Sequence, residues 1–314
     1  MKILNVCKEL EDMTSVAYNL KAVDDAGQNS AKKLIKISEK IYRDQIKKVA
    51  NVIATSKMKL VLVSGPSSSG KTTTANIISQ ELVKKGIGSL VVSIDDFFVD
   101  LKDTPLLPDG SPDCENITAV DIETFNKFIT ELLTKHKAKM PRYNFHIHKR
   151  DKYDEVSINE NDILIVEGIH ALNPLLIRTH QFDSSTYKVY AFVNSIFVDS
   201  NKILVTSQDL RLMRRVFRDA YSRGRDPIFT INNWKNVCDG EKLYIAPFRA
   251  NAHSIIDTTH PYEILVYANY LVDLLLPYRN NEKVKSLLDV LTKLSPLLKD
   301  LIPSNSLIWE FVAN

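Results

Sequence analysis

The hydrophobic positions of this chain follow two rhythms. Leu34, Ile37, Ile41, Ile46, Val49 and Ile53 recur at roughly helical spacing, so residues 31–54 are expected to form a helix. The texture then changes to the nearly continuous apolar run Lys59-Leu60-Val61-Leu62-Val63, which reads as a buried strand. A Gly/Ser-rich stretch ends that run, and residues 72–85 return to a helical pattern. Strand, loop and helix in this order open a βαβ unit. Further buried strands are expected over residues 89–94, 162–166 and 187–193. Further helices are expected over 121–136, with Asp121 as the N-cap, over 210–222 and over 263–276. Residues 284–301 read as one or two short helices around Pro296, and residues 103–116, with three prolines and several acids, read as a loop. Short apolar strands alternating with helices predict an α/β fold, a parallel sheet covered on both faces. No internal repeat or low-complexity tract interrupts the pattern.

Composition narrows this picture only slightly. The 314 residues are 44% hydrophobic and 25% charged, enough for a well-buried core in one large domain with appendages. The formal net charge of +3 supplies no global attraction to nucleic acid or a membrane surface, so anion binding must come from local clusters. Cys7, Cys114 and Cys238 are far apart and lack metal-ligand spacing, which fits free thiols in a reducing compartment. The first dozen residues carry acids where a secretory signal needs an apolar core, and no apolar run is long enough to span a bilayer. The expected location is therefore the cytoplasm.

Candidate chemistry begins where the first strand ends. Gly65-Pro66-Ser67-Ser68-Ser69-Gly70-Lys71-Thr72 fits the spacing G-x-x-x-x-G-K-[ST]. Glycines let the backbone curl so that successive N–H groups point at phosphate oxygens, and the following helix adds its positive end. Lys71 is expected on the β and γ phosphates, Thr72 on Mg²⁺, and Thr73 completes the nucleotide-binding set. In an open α/β sheet ligands bind beyond the carboxyl ends of the strands. Three acids lie there: Asp95 and Asp96 after the second strand, and Glu167 after the third. Phosphoryl transfer needs a carboxylate to take the attacking hydroxyl's proton and acids to hold Mg²⁺. Asp95 is the candidate base, Glu167 the candidate metal-side acid, and Asp96 is either a partner in this chemistry or a cap.

Arg211, Arg214, Arg215 and Arg218 fall on one broad helical face, and Arg223 and Arg225 follow. Such a cluster repels itself unless an anion sits among it. ATP is such an anion, and the competing readings are a solvated face or a nucleic-acid patch. Residues 141–150, Pro-Arg-Tyr-Asn-Phe-His-Ile-His-Lys-Arg, carry the set needed to stack and hydrogen-bond a base or sugar, and equally suit an exposed β-hairpin.

Together these motifs resemble the uridine kinase and phosphoribulokinase group of P-loop kinases. Ser93-Ile94-Asp95-Asp96-Phe97-Phe98 is similar to that family's D-x-F-Y segment, which implies that Asp95 is the catalytic base and also lies on the metal side. Val166-Glu167-Gly168-Ile169 resembles its Mg²⁺-holding E-G-I. Pro141 to Phe145 with His148 resembles P-x-Y-D-F…H, which puts Tyr143 and His148 on the base. Arg215 to Asp219 and Arg223 to Asp226 resemble its R-R-x-x-R-D…R-G-R-D lid helix, so Arg215 and Arg218 are expected on ATP and Arg218 among the catalytic residues with Asp95 and Lys71. Phe98, Glu115, Arg150, Arg223 and Arg225 are expected with them around the acceptor. Phe98 stands where simple uridine kinases have Tyr, Asn144 where they have Asp, and Glu115 roughly where an Asp holds the ribose hydroxyls.

A closer likeness is to bacterial uridine kinase-like proteins that carry a threonyl-tRNA synthetase-like N-terminal region. Their kinase halves share Glu167-Gly168-Ile169-His170-Ala171-Leu172-Asn173-Pro174 and a closing Asn305-Ser306-Leu307-Ile308-Trp309-Glu310-Phe311. This chain resembles that kinase half alone. The resemblance implies a P-loop NTPase fold, a doubly wound and mainly parallel sheet with helices on both faces and an arginine-rich lid helix. It divides the chain into an N-terminal helical extension (1–57), a kinase domain (58–280) and a C-terminal helical tail packed on it (281–314). Residues 194–208 look like an insertion before the lid. The implied reaction is ATP-dependent phosphorylation of a nucleoside hydroxyl, with no nucleic-acid or membrane partner and homo-oligomerisation left open. Pantothenate, a sugar phosphate or a polyol are the other acceptors considered, and a nucleotide-binding regulator without turnover is the reading from another class.

Overall fold

Strands form where apolar residues run together, and helices form where they recur at three and four. In chain order the elements are β1 (Val16–Asn19), α1 (Leu20–Thr55), β2 (Leu60–Ser64), α2 (Lys71–Val83), β3 (Ser89–Ser93) and α3 (Ile122–Lys135). Then come β4 (Lys137–Asn144), β5 (Lys149–Ser157), β6 (Ile163–Glu167), β7 (Thr186–Phe192), β8 (Ser195–Asp199) and β9 (Lys202–Val205). The remainder is α4 (Ser207–Arg223), α5 (Pro227–Asn232), α6 (Trp234–Tyr244), β10 (Ser254–Asp257), α7 (Glu263–Leu275) and α8 (Glu282–Leu291). The structure, a computed structural model, describes residues 15–312 apart from 146 and 179. Cys7 and His146 lie outside the described residues. No helix among the described residues is long and apolar enough to cross a membrane.

Five strands make the central sheet in the order β10-β7-β2-β6-β3, every pair parallel. The period-two alternation of a strand sorts their side chains to two cores. Val61, Val63, Ile165 and Val189 face the layer of α1, α2, α4 and α7. Leu60, Leu62, Leu164 and Val166 face α3 and β4. Burial on both faces explains why β2 and β6 are apolar throughout rather than alternating.

The helix expected over 31–54 is the second half of α1. The element begins at Leu20 and breaks at Ser30, whose φ of −156° and ψ of 44° leave the helical region. Its first half carries Asp24, Asp25, Gly27 and Asn29, too polar to show a clear rhythm, yet Leu20, Val23 and Ala26 are buried. Residues 194–208 fold as the β8–β9 hairpin, with Ser200 and Asn201 at positive φ in its turn. β1 adds to β8 in parallel, Val16 opposite Ser195, so this hairpin and the β1 strand build a separate three-stranded sheet. The segment from 141 to 150 lies in a real antiparallel hairpin, β4–β5.

Arg214 ties these layers together. Its side chain is wholly buried, and Nε and Nη2 each donate to Glu263 at 2.8 Å. Nη2 also donates to the Thr258 carbonyl at 2.9 Å, and Nη1 to Thr258 Oγ1 at 3.2 Å and the Ser68 carbonyl at 3.4 Å. The guanidinium lies 4.8 Å from the Phe311 ring centroid. Burial alone would lower its pKa, but the Glu263 carboxylate overrides that and holds the group above its ordinary value. Glu263 receives further bonds from the His260 amide at 3.0 Å and the Tyr267 hydroxyl at 3.3 Å, so both partners are saturated. Breaking one side of such a buried pair strands a charge without water. Glu263→Gln is therefore expected to reduce the unfolding free energy by about 3–5 kcal/mol in urea titrations. A loss no larger than the roughly 1 kcal/mol of an exposed pair would show that solvent reaches Arg214.

Candidate active site

The parallel register brings three strand ends together. Val63 of β2 and Ser93 of β3 both stand opposite Glu167 of β6. The phosphate-loop sequence leaves β2 at this edge, and Asp95 follows two residues after Ser93. Asp95 lines one cavity of about 530 Å³ together with Ser67, Ser68, Lys71, Thr72, Glu167 and Glu310. Phe98, Glu115, Tyr143, His148, Arg223 and Arg225 line the same cavity.

Two glycines are required by the loop's shape. Gly65 has a φ of 153°, and a Cβ there would meet the Ala191 carbonyl of β7 at 1.9 Å. Gly70 has a φ of 85°, and a Cβ would strike Leu307 at 2.5 Å. From outside the loop Arg211 holds the Ser67 carbonyl at 3.3 Å, Arg214 the Ser68 carbonyl, and Thr258 the Ser69 carbonyl at 2.7 Å. With these carbonyls turned outward, the loop is fixed as a cradle. The buried Ser68 and Ser69 hydroxyls have no hydrogen-bond partner in the protein, and of the two residues Ser68 lines the cavity.

Lys71 is buried and its Nζ donates to the Pro66 carbonyl at 3.0 Å. Burial pushes its pKa down against the pull of Glu167, Glu310, Asp95 and Glu115. Thr72 Oγ1 donates to Glu167 Oε1 at 3.2 Å. Two hard oxygen donors this close suit a divalent cation such as Mg²⁺. Burial, then the charge of Asp95, pushes the Glu167 carboxyl up to about 7. Asp96 turns away to Arg142 at 3.0 Å and the Tyr143 amide at 3.3 Å, which makes it an anchor of the hairpin.

The arginine cluster divides in two. Arg211 and Arg214 are buried structural groups, Arg211 paired with Glu241 at 2.6 Å. The expectation of one ligand-facing surface is corrected accordingly: α4 is packed into the core along its first turns, and Arg215, Arg218, Arg223 and Arg225 line the cavity. Buried Asp219 serves three of them, Arg218 at 2.8 Å, Arg223 at 3.5 Å and Arg215 at 3.6 Å. One carboxylate cannot neutralise three guanidiniums. Burial and the neighbouring Arg218 lower the pKa of Arg223 to about 10. A polyanion would relieve that repulsion.

Aromatic rings line the far end. Phe98 and Tyr143 meet edge-to-face at 5.7 Å, and Tyr143 and Phe145 at 5.0 Å. Arg223 lies 5.5 Å from the Phe145 ring and Arg225 5.8 Å from Phe229. Glu115 approaches Arg215 at 3.8 Å, and burial raises its pKa. Gly240 allows this close packing, since a Cβ there would sit 2.4 Å from that of Glu115. Arg150 is placed elsewhere: its guanidinium pairs with Asp121, the N-cap of α3, at 2.9 Å and does not line the cavity.

Several residues at the site were not singled out from the sequence. Asn233 and Asn236 come from the α5–α6 region, which showed no pattern. His170 is fully buried, and burial lowers its pKa to about 4. Its ring meets Tyr244 edge-to-face at 6.3 Å, and both ring nitrogens are buried without a hydrogen-bond partner. Glu310 reaches the site from the far end of the chain, its Oε2 accepting from the Thr73 amide at 2.9 Å. The closing E-F of the tail was the one sequence signal for it.

A parallel sheet with a phosphate loop after its central strand, and acids at or just past the ends of the next two strands on one side of it, is the arrangement of a P-loop kinase. Residues 60–264 match the model of the phosphoribulokinase / uridine kinase family, and the chain belongs to that family. The uridine kinase of Halobacterium salinarum is 26% identical over 195 residues, 62% of this chain and 77% of its own length. That of Clostridium tetani is 30% identical over 200 residues, 63% of this chain and 85% of its own. Among solved structures, a possible uridine kinase from Bacillus stearothermophilus is similar with a TM-score of 0.45 at 20% identity, covering 68% of this chain and 98% of its own.

The raised pKa of Glu167 has a consequence for stability. The folded carboxyl titrates at about 7 and the unfolded one at its ordinary value of 4.5, so the folded state is favoured below 4.5 and loses stability as pH rises toward 7. In metal-free buffer at pH 8, Glu167→Gln is expected to stabilise the protein by about 2–4 kcal/mol, a gain that vanishes near pH 4. Thermal melts across pH check this, and a gain independent of pH would contradict it.

Proposed function

We propose that the chain transfers the γ-phosphoryl group of ATP to the primary hydroxyl of a nucleoside, uridine or cytidine. The observation that carries this reading is one continuous cavity joining the phosphate loop, Asp95 and the Phe98–Tyr143–Phe145 aromatic group. The cradle takes the phosphates, the rings take a planar base, and Asp95 stands between them.

In the proposed reaction the acceptor hydroxyl gives its proton to Asp95 as its oxygen bonds to the γ-phosphorus. The bond from that phosphorus to the β,γ-bridging oxygen breaks, and ADP leaves with the electron pair. Lys71, Arg215, Arg218 and Arg223 gather the charge. Thr72 and Glu167 would hold Mg²⁺, which neutralises phosphate charge when bound. Glu115, next to Arg215, is placed to accept hydrogen bonds from sugar hydroxyls. Tyr143 and His148 would orient the base, and the arginines exclude water from the transferring group.

A second reading has its own support. Arg223 and Arg225 line the cavity beside the aromatic rings Phe145 and Phe229, and a neutral nucleoside needs no such charge there. An anionic acceptor, a sugar phosphate or pantothenate, would use them.

Asp95→Asn is expected to reduce turnover at least about 100-fold while leaving the ATP dissociation constant within about threefold. Near-normal turnover would remove Asp95 as the base. A screen of ADP release over uridine, cytidine, pantothenate, sugar phosphates and polyols separates the two acceptor readings. Stimulation by a nucleoside is expected; stimulation by sugar phosphates or pantothenate alone would replace the first reading with the second.

A further inference from the structure

The phosphate loop is the seat for an anion, and in this structure one of its amides is held by the protein itself. Gly70 caps α2, and the first intrahelical bond runs from the Thr74 amide to the Gly70 carbonyl at 3.0 Å. The Thr73 amide is thus among the first-turn donors with no carbonyl behind them, next to Lys71 and Thr72. Glu310 Oε2 accepts from it at 2.9 Å. A carboxylate at this position does what a phosphate oxygen does there: it satisfies an orphan N–H at the positive end of a helix. Glu310 lines the same cavity as Ser67, Ser68 and Thr72, and its charge bears on Lys71 and Glu167.

The segment that carries Glu310 is not loose. Leu307, Ile308 and Phe311 are fully buried, with Leu307 against Gly70 and Phe311 under Arg214. The Ser306 hydroxyl bonds Tyr262 at 2.9 Å, the Trp309 indole donates to the Pro303 carbonyl at 2.8 Å, and Arg43 donates to the Asn305 carbonyl. Backbone and neighbours are fixed, so the carboxylate is aimed at α2 by construction, and only its side-chain torsions are free to withdraw it. One N–H cannot serve a carboxylate and a phosphate oxygen together, and the two anions repel at this range.

We propose that Glu310 is an internal competitor for the phosphoryl donor, holding the Thr73 amide in the nucleotide-free chain and yielding it to a phosphate oxygen when the nucleotide binds. The residue thereby weakens binding of both ATP and ADP, because the contested amide belongs to the loop rather than to the transferred group. Release of ADP is helped by the return of the carboxylate. The proposal rests on the reading of the loop as the nucleotide site.

The test is calorimetric titration of the full chain and of Glu310→Gln and Glu310→Ala with ATP and with ADP, in Mg²⁺ and in chelator, with melting curves to confirm folding. Glu310→Ala, which removes both the charge and the acceptor, is expected to bind both nucleotides about tenfold more tightly. Glu310→Gln keeps an acceptor oxygen for Thr73 and is expected to gain about threefold. The gain should persist without Mg²⁺. Unchanged or weaker affinity in both variants overturns the proposal, and so does weaker affinity confined to Mg²⁺, which would make Glu310 a group of the metal side. If the unaltered chain binds neither nucleotide, the donor reading itself fails and the proposal falls with it.

Discussion

The bidentate contact between Arg214 and Glu263 is the constraint on which the site depends. It joins α4 to α7 inside the core. Its remaining donors reach the phosphate loop through the Ser68 carbonyl and the end of β10 through Thr258. The position of the cavity-facing arginines follows from it. Once Arg214 is locked inward, Arg215 stands about 100° further round the helix and lines the cavity, as does Arg218 one turn on. A buried charge pair that is merely neutral for stability can still decide which way a helix faces.

The chemistry is gathered by sheet register. Residues at the carboxyl ends of β2, β3 and β6 meet because parallel strands pair Val63 and Ser93 with Glu167. Burial at that meeting point moves Lys71 and Glu167 in directions that bring their titrations nearer neutrality. The arginines on the other side share one buried carboxylate, Asp219. The site thus holds unbalanced charge of both signs at short range. An arrangement of this kind sacrifices stability for readiness to bind an ion of either sign.

How much of this could be read from the sequence depended on distance along the chain. The phosphate loop, Asp95 and Glu167 were legible because each follows directly on an apolar strand. The central sheet was legible for the same reason. Helical spacing placed Arg214 and Arg215 on one face but could not show that the first meets Glu263, 49 residues away, and the second the cavity. Arg150 was expected at the acceptor from its neighbours, yet its register opposite Tyr143 sends it to Asp121. The first half of α1 was hidden by its polar residues, α5 by its six-residue length, and α6 by the lack of a clear apolar rhythm. Glu310 was hidden by a separation of 237 residues from Thr73.

That separation also bears on the order in which a ribosome makes the protein. Tyr42 of α1 bonds Thr74 at 2.8 Å, so one support of the helix after the phosphate loop is synthesised before it. The other support, Leu307 behind Gly70 and Glu310 on Thr73, is synthesised last of all these parts. A nascent chain that has completed its central sheet still has an open-backed cradle. The shape of the cradle is therefore completed only when residues 305–312 emerge, and a chain cut short before Leu307 would carry the whole motif without the wall behind Gly70.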